Sequence, residues 1–357
     1  MNIFALLLKN FCALGVLAVK MTFFQWSRFA FYVLRFTLYV SLLSACTAVH
    51  LTRPVVKIGL VGPFEGRYRY VGYDAMYAAR LALREANAAG GVGGYSVELV
   101  AFDDQGAVSG ARAAARSLAQ DPDVVAVIGH FRDETTEATR ALYDQAGLPL
   151  IVAGTVKGGG AGQSDLLCSL LAYLGDALAS QRVQWVLPTG AELACAGGPD
   201  VMISAEIPPP PDVDAVLLTL DPVAAGETLV ALREAGWRGV VAGGPALGSP
   251  LFIQVAGEAA TGVIFVSPYP WPATEERDDA FSAAYQALGP HVPRPGPFAL
   301  STYQATQALL EAIRATARQG KTPSPQTLHL DWPPPPAVYV YRWSSATGMP
   351  ELITHGE

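Results

Sequence analysis

From Pro54 onwards the chain alternates between short apolar runs and longer segments in which apolar residues recur at helical spacing. The short runs are rich in β-branched residues and are typical of buried strands, and the longer segments are typical of amphipathic helices. The first predicted strands are 55–61, 97–102, 124–128 and 148–153, and the helices between them are 73–89, 107–119 and 135–146. Strands separated by helices of this length favour a parallel sheet covered on both faces.

The same alternation then continues to the end of the chain. Further strands are predicted at 183–187, 214–220, 240–242, 263–266 and 337–343, and further helices at 164–180, 222–235, 250–258, 281–288 and 298–318. The pattern therefore predicts an α/β protein built on parallel sheets. Ligands of such sheets bind beyond the carboxyl ends of the strands, so the candidate site loops are 62–72, 103–107, 129–135 and 153–162.

Charge divides the chain into two unequal parts. Hydrophobic residues make up 51% of the chain and charged residues 15%, which is below the roughly 25% of an average soluble domain. Residues 1–45 contain no Asp or Glu and only four cations, Lys9, Lys20, Arg28 and Arg35. Residues 46–357 carry 20 Lys and Arg against 31 Asp and Glu, a net charge of -11. An acidic body argues against nucleic acid as a partner.

The apolar leader ends at Leu43-Ser44-Ala45-Cys46. This motif resembles the lipobox of bacterial lipoproteins, in which a signal peptidase cuts before the cysteine and its sulfur carries a diacylglycerol. We expect 1–45 to be a signal peptide, with Met21 as a possible true start, and 46–54 to be a tether to lipid on Cys46. An uncleaved membrane anchor is the alternative. In both cases we expect the body to lie outside the cytoplasm, on the membrane surface.

Residues for catalysis and metal binding are sparse. The five histidines follow no spacing typical of a zinc site: His50, His130, His291, His329 and His355. The chain has no GxSxG elbow and no Cys-His pair that indicates a nucleophile. We therefore expect no enzyme activity, no metal and no cofactor.

Two cysteines, Cys168 and Cys195, remain in the body of the chain. Outside the cytoplasm two thiols 27 residues apart could form a disulfide, and two free thiols are the alternative. The sequence leaves this choice open.

The first half of the body resembles type I periplasmic binding proteins of the branched-chain amino acid group, which are the substrate receptors of ABC importers. The segments that carry the resemblance are IGLVGPFEG (58–66), AARLALREANAAGGVGG (78–94), VELVAFDDQG (97–106), VVAVIGHF (124–131) and YDQAGLPLI (143–151). Looser matches follow at LVALREAGWRG (229–239), AGEAATGVIFVSPYP (256–270), FALSTYQATQALLEAI (298–313) and VYVYRW (338–343).

The resemblance implies two doubly wound parallel-sheet lobes that are joined by three crossovers and close on a ligand. Lobe 1 would comprise 55–153 and about 271–330, and lobe 2 about 154–270 and about 331–357. The hinges would fall near 153–157, 267–271 and 330–336, and the partners would be a small molecule and a membrane permease. Lobe 2 is expected to be shortened, because only 188–199 replace a turn and most of a helix.

The site residues of the family are largely replaced in this chain. In the amino-acid binders, Ser and Thr hydroxyls with backbone N–H groups bind the ligand carboxylate, an acidic residue of the second lobe binds the ammonium, and two aromatic residues line the cleft. The Ser position is Asp133, and the Thr position is Val156 unless Thr155, after Gly154, serves instead. The acidic position is Ala246, and the aromatic positions are Asp221 and Val71.

These replacements disfavour an ordinary branched-chain amino acid. A carboxylate at Asp133 that faces a ligand carboxylate at 4 Å costs roughly 4 kcal/mol at an effective dielectric near 20. Losing the acidic partner at Ala246 removes roughly 1.5–3 kcal/mol. We expect a cationic or hydroxyl-rich ligand held by Asp133 and Asp221. Two alternatives stay open: Arg67 or Arg132 pairs with these carboxylates, or the chain is a non-transport relative acting as a sensor or interaction module.

Overall fold

The computed structural model describes residues 32, 34–37, 53–154, 163–179, 181–186, 195, 198–272, 280–330, 332, 338–344 and 349–356. The chain divides into two compact units, Met1–Arg53 and Pro54–Glu357. Residues 32 and 34–37 of the first unit are helical. Among the residues that the structure describes, no helix has the length and apolarity needed to cross a membrane. Met21 and Cys46 lie outside the described residues, so the leader and its lipid stay predictions.

The first sheet has four parallel strands in the order β2-β1-β3-β4. Its strands are β1 (Val55–Gly62), β2 (Ser96–Asp103), β3 (Val124–Ile128) and β4 (Leu150–Ile151). The connecting helices are α1 (Arg69–Ala88), α2 (Val108–Gln120) and α3 (Asp133–Ala146). All five residues of β3 are buried, as expected of a strand with helices on both faces of its sheet.

The second sheet has seven strands in the order β11-β10-β9-β8-β7-β5-β6. Its strands are β5 (Arg182–Val186), β6 (Asp200–Ile203), β7 (Ala215–Leu218), β8 (Val240–Gly243), β9 (Ile264–Ser267), β10 (Val338–Trp343) and β11 (Pro350–Gly356). Its helices are α4 (Gln163–Leu178), α5 (Pro222–Glu234) and α6 (Pro250–Ala256), with 3₁₀ turns at Pro245–Gly248 and Gly257–Ala260. The strands from β5 to β9 are parallel, whereas β10 is antiparallel to β9 and β11.

Two late helices return to the first sheet. These are α7 (Ala280–Gln286) and α8 (Ala299–Arg318). Tyr285 of α7 shares a buried cluster with Leu81 of α1, and Leu309 of α8 lies in the same core as Ile58 of β1. The chain therefore passes between the two sheets after β4, after β9 and after α8. The predicted α/β class with two sheet lobes is confirmed, with antiparallel pairs added to the second sheet.

A disulfide joins Cys168 on α4 to Cys195 in the crossover between β5 and β6. Cys195 packs against the core formed by α4 and the central strands of the second sheet. The bond therefore fastens this crossover to the helix that covers the sheet.

Candidate functional site

The loops after β1 and β2 are joined at the carboxyl edge of the first sheet. Oδ1 of Asp103 accepts hydrogen bonds from the backbone N–H of Phe64 at 2.9 Å and of Gln105 at 2.8 Å. One carboxylate oxygen therefore fixes the first loop and the turn of the second. Both loops belong to the candidate site loops of the sequence analysis.

A fully buried chain of polar side chains lies beneath the same edge. Nδ1 of His130 is 2.9 Å from Oδ2 of Asp104, and Nε2 is 3.1 Å from the hydroxyl of Tyr143. Oδ1 of Asp104 accepts from the N–H of Gly106 at 2.8 Å, and the Thr136 hydroxyl donates to the carbonyl of His130 at 2.7 Å. Burial raises the pKa of Tyr143 above its usual range, so its hydroxyl stays protonated. His130 therefore connects the loops after β2 and β3.

The loop after β3 needs a glycine at its first position. Gly129 has a φ of 135°, and a Cβ added there would lie 2.2 Å from the carbonyl oxygen of Val61. Only glycine reaches this conformation without strain and leaves room for the neighbouring strand. The turn directs residues 130–133 across the ends of the strands.

The side chain of Arg132 contacts the loops after β1 and β2 and the first turn of α3. Nη1 donates to the carbonyl of Gly106 at 2.6 Å, and Nη2 lies 3.3 Å from Oε2 of Glu134. The guanidinium lies 4.5 Å from the centre of the Tyr68 ring, within reach of a cation–π contact. Arg132 therefore forms an ion pair with Glu134. The partly buried Asp133 begins α3, where the helix N-terminus favours a carboxylate.

Asp221 has a structural role in the second lobe. Its Oδ1 accepts hydrogen bonds from the N–H groups of Val223 at 3.1 Å and Ala224 at 3.3 Å, and so caps the N-terminus of α5. Replacing such a cap costs about 1 kcal/mol. Both capping hydrogen bonds go to Oδ1, so Oδ2 takes no part in them.

Two of the predicted positions lie in hydrophobic cores. Val71 is fully buried in the first core, because α1 begins at Arg69, four residues before the predicted start, and places Val71 on its inner side. Ala246 lies in the 3₁₀ turn Pro245–Gly248 and is 2% exposed within the second core. Both side chains are buried in this structure, and their place in the ligand site stays a prediction.

The first crossover is only partly described. A Cβ added to Gly154 would lie 3.5 Å from the ring of Phe298 and 3.8 Å from the ring of Tyr269, so this glycine lies where the lobes join. Thr155 and Val156 fall outside the described residues.

Tyr70 and Ser249, which the sequence did not indicate, connect the two lobes directly. The Tyr70 hydroxyl on α1 is 2.8 Å from Oγ of Ser249, the residue before α6. Burial raises the pKa of Tyr70 above its usual range, so the hydroxyl remains a neutral donor and acceptor. Tyr70 directly precedes Val71, the predicted position of the first aromatic residue.

The three crossovers meet near Trp332. Its indole Nε1 donates to the carbonyl of Val152 at 3.1 Å, and its ring stacks on Tyr269 with centroids 6.4 Å apart and planes at 10°. These residues come from the first, second and third connections between the sheets. The described parts of the predicted hinges therefore lie side by side.

Phe298 is positioned by a buried carboxylate. Asp74 on α1 is 5% exposed, and its two oxygens accept from the N–H groups of Gly296 at 3.2 Å and Phe298 at 3.3 Å. Burial raises the pKa of Asp74 to about 7, although these hydrogen bonds lower it. The Phe298 ring lies 5.8 Å from Phe131 in the loop after β3 and 6.4 Å from Tyr70.

The arrangement suits non-covalent binding. In the part of the chain that the structure describes, no group of three His, Cys, Asp or Glu could hold a metal ion. The strand-end loops of the first sheet are fixed by Asp103, Asp104 and Arg132, and the second lobe meets α1 through Ser249. Such a rigid edge can hold a small molecule between two lobes.

Comparison with known proteins identifies the family of this chain. Residues 55–195 and 211–330 match the model of a family described as periplasmic binding protein. An amino acid binding protein of Pseudomonas aeruginosa is 35% identical over 100 residues, which are 28% of this chain and 27% of that protein. The Leu/Ile/Val-binding protein of Escherichia coli K12 is 27% identical over 115 residues, or 31% of each chain. Each match therefore spans less than a third of the relative's length.

Solved structures with low sequence identity share the fold over most of the chain. A leucine binding protein from Thermotoga maritima has a TM-score of 0.66 at 16% identity, over 84% of this chain and 98% of its own. A branched-chain amino acid transporter substrate binding protein from Streptococcus pneumoniae, in complex with isoleucine, has a TM-score of 0.65 at 18% identity, over 84% and 99%. A solute binding protein from Rhodopseudomonas palustris, in complex with 3,4-dihydroxybenzoic acid, has a TM-score of 0.62 at 17% identity, over 85% and 97%.

Proposed function

Because the chain belongs to the periplasmic binding protein family, we propose that it is an extracytoplasmic solute receptor of an ABC importer. It binds a small polar molecule between its lobes and presents the closed form to a membrane permease. The observation that carries this function is the fixed edge of strand-end loops, which faces a second lobe joined by three adjacent crossovers. The protein is a receptor and has no catalytic role.

The ligand differs from that of the branched-chain amino acid receptors. Asp133 replaces the hydroxyl that receives a ligand carboxylate in those proteins, and Glu134 follows it in the first turn of α3. Arg132 compensates the charge of Glu134 at 3.3 Å, so the choice of ligand depends on Asp133. A carboxylate at Asp133 repels a ligand carboxylate by roughly 4 kcal/mol at short range and attracts a cation or a hydroxyl. Asp133 is therefore the main partner of the ligand, and Asp221 is a second partner through the oxygen that does not cap α5. Thr155 and the backbone N–H groups of 130–136 help to hold the ligand, and Gly154 and Val156 lie beside Thr155 in the proposed site.

Two features of the cysteines support a location outside the cytoplasm. The leader 1–45 is a signal peptide, and Cys46 carries the lipid that holds the receptor on the membrane. The disulfide between Cys168 and Cys195 supports a compartment outside the reducing cytoplasm. Mass spectrometry of the mature N-terminus tests this proposal. A chain that starts at a lipidated Cys46 is expected, and an intact chain with an unmodified Cys46 would contradict it.

Calorimetry with leucine, a polyamine and a short polyol tests the ligand class. We expect the polyamine or the polyol to bind and leucine to bind weakly. Asp133→Ser should lower the affinity for the preferred ligand about tenfold or more, because it removes a charge-assisted contact. Glu137→Gln is the matched control, since Glu137 is exposed on the same helix and pairs with Arg140. Tight binding of leucine by the unaltered chain would refute this ligand class.

One observation favours a second candidate, a relative that keeps the scaffold as a sensor or interaction module. The crossover between β5 and β6 has only residues 187–199, and a disulfide fastens it to α4. A shortened second lobe offers a permease a different surface. Uptake of the bound solute by cells with and without the receptor gene distinguishes the two, because only a transport receptor changes uptake.

A further inference from the structure

The hydrogen bond between Tyr70 and Ser249 joins two rigidly presented side chains. Tyr70 lies in the first turn of α1, which packs so closely on the loop after β1 that a Cβ on Gly72 would lie 2.3 Å from the carbonyl oxygen of Pro63. Ser249 follows Gly248, where a Cβ would lie 2.6 Å from the Phe265 ring. Each hydroxyl therefore extends from a backbone that packs closely on its own lobe.

Each of the two side chains also has contacts inside its own lobe. Oγ of Ser249 accepts from the N–H of Leu251 at 3.1 Å and caps α6, and the ring of Tyr70 lies 6.4 Å from that of Phe298. Ser249 is 3% exposed, so water has little access to its hydroxyl in this arrangement. With the lobes together, removing either hydroxyl leaves the other buried without its partner, which is unfavourable. The pair therefore stabilises the closed arrangement specifically.

We propose that Tyr70 and Ser249 are positioning residues that form a latch between the lobes and set the closed geometry of the receptor. Both partners belong to the protein, so the latch forms with or without a ligand. The receptor then samples its closed form before binding. A ligand that binds the closed form gains apparent affinity in proportion to the closed fraction. This inference rests on the proposed function only where it concerns the ligand.

The latch predicts a change in the populations of the ligand-free protein. A single hydrogen bond of this kind favours the state that makes it by roughly 2- to 10-fold. Tyr70→Phe removes one hydroxyl and keeps the ring. Ser249→Gly removes the other and largely keeps the cap of α6, because glycine is nearly as good as serine at an N-cap. Both variants should lower the ratio of closed to open molecules, and the double variant should lower it no further.

The distance between two electron spin labels, measured on the full chain, tests the latch. Spin labels attached through an unnatural ketone amino acid at positions Arg116 on α2 and Glu227 on α5 leave the cysteines untouched, and both positions are exposed. We expect a short-distance population in the ligand-free protein that falls 2- to 10-fold in Tyr70→Phe and in Ser249→Gly. Tyr73→Phe is the control on the same helix, since Tyr73 is 41% exposed.

Two results would overturn the latch. One is a distance distribution in Tyr70→Phe and Ser249→Gly that equals that of Tyr73→Phe. The other is an unaltered protein with no short-distance population at all. A panel of leucine, a polyamine and a polyol, added to the same samples, separates the latch from the receptor function. If no solute changes the distances but Tyr70→Phe does, the latch stands and the proposed function fails.

Discussion

The free energy of unfolding should fall as the pH rises through neutrality, because the buried carboxyl of Asp74 then ionises. Its carboxyl is buried in the first lobe, and burial raises its pKa from 3.8 to about 7 in the folded chain. The tyrosines that face it, Tyr70 and Tyr285, have pKa values raised above their usual range and do not titrate here. Between pH 4 and 7 the folded state therefore holds a proton that the unfolded state has lost. Stability is greatest below the unfolded pKa and falls until the pH passes the folded one.

The size of the effect follows from the two pKa values. The difference between 3.8 and about 7 corresponds to about 4 kcal/mol in the free energy of unfolding, lost between acid and alkaline pH. About 2.5 kcal/mol of this loss falls between pH 5 and pH 8. Asp74→Asn cannot ionise, so its stability relative to the unaltered chain should rise by about that amount over the same interval.

Urea unfolding of both chains at pH 5, 6, 7 and 8 measures this difference directly. Asp144→Asn is the control, because Asp144 is exposed on α3. The reasoning fails if the difference between Asp74→Asn and the unaltered chain is independent of pH. A pH-independent difference would mean that the N–H groups of Gly296 and Phe298 hold Asp74 ionised well below pH 7. A difference that changes in the opposite sense would also refute the reasoning.

Three further predictions concern stability and redox state. Titration of thiols in the denatured, unreduced chain should find no reactive Cys168 or Cys195, and two reactive thiols at these positions would contradict the bridge. Trp332→Phe removes the hydrogen bond to Val152 and should lower the free energy of unfolding by about 1 kcal/mol in urea, whereas an unchanged midpoint would mean that this contact contributes nothing. Gly129→Ala should cost about 2 kcal/mol or more in the same assay, and a neutral effect would show that the loop after β3 relaxes.

The strands were predictable where burial leaves a continuous apolar run. Strand β3 occupies 124–128 as predicted, because all its residues are buried between two layers of helices. Strands β6 and β11 were not predicted. They lie at the two edges of the second sheet, where β6 exposes 65% of Ile203 and β11 begins with Pro350, so neither carries the apolar signal of a central strand.

The site was predictable at the level of loops but not of side chains. The loops after β1, β2 and β3 do come together, because parallel strands end at one edge of a sheet. His130 appeared isolated in the sequence, since Asp104 and Tyr143 are 26 and 13 residues away and their approach depends on strand order. The helix α1 begins at Arg69, four residues before the predicted start, and this brings Tyr70 and Val71 into its first turn.

Closure on a small molecule is the central claim of this account, and small-angle X-ray scattering tests it most directly. The solute would be the one among leucine, a polyamine and a polyol that raises the melting temperature most, since a ligand at 100 times its Kd stabilises by about 2.7 kcal/mol. The account predicts that adding this solute decreases the radius of gyration of the full chain. A stabilising solute that leaves the radius of gyration unchanged would contradict it.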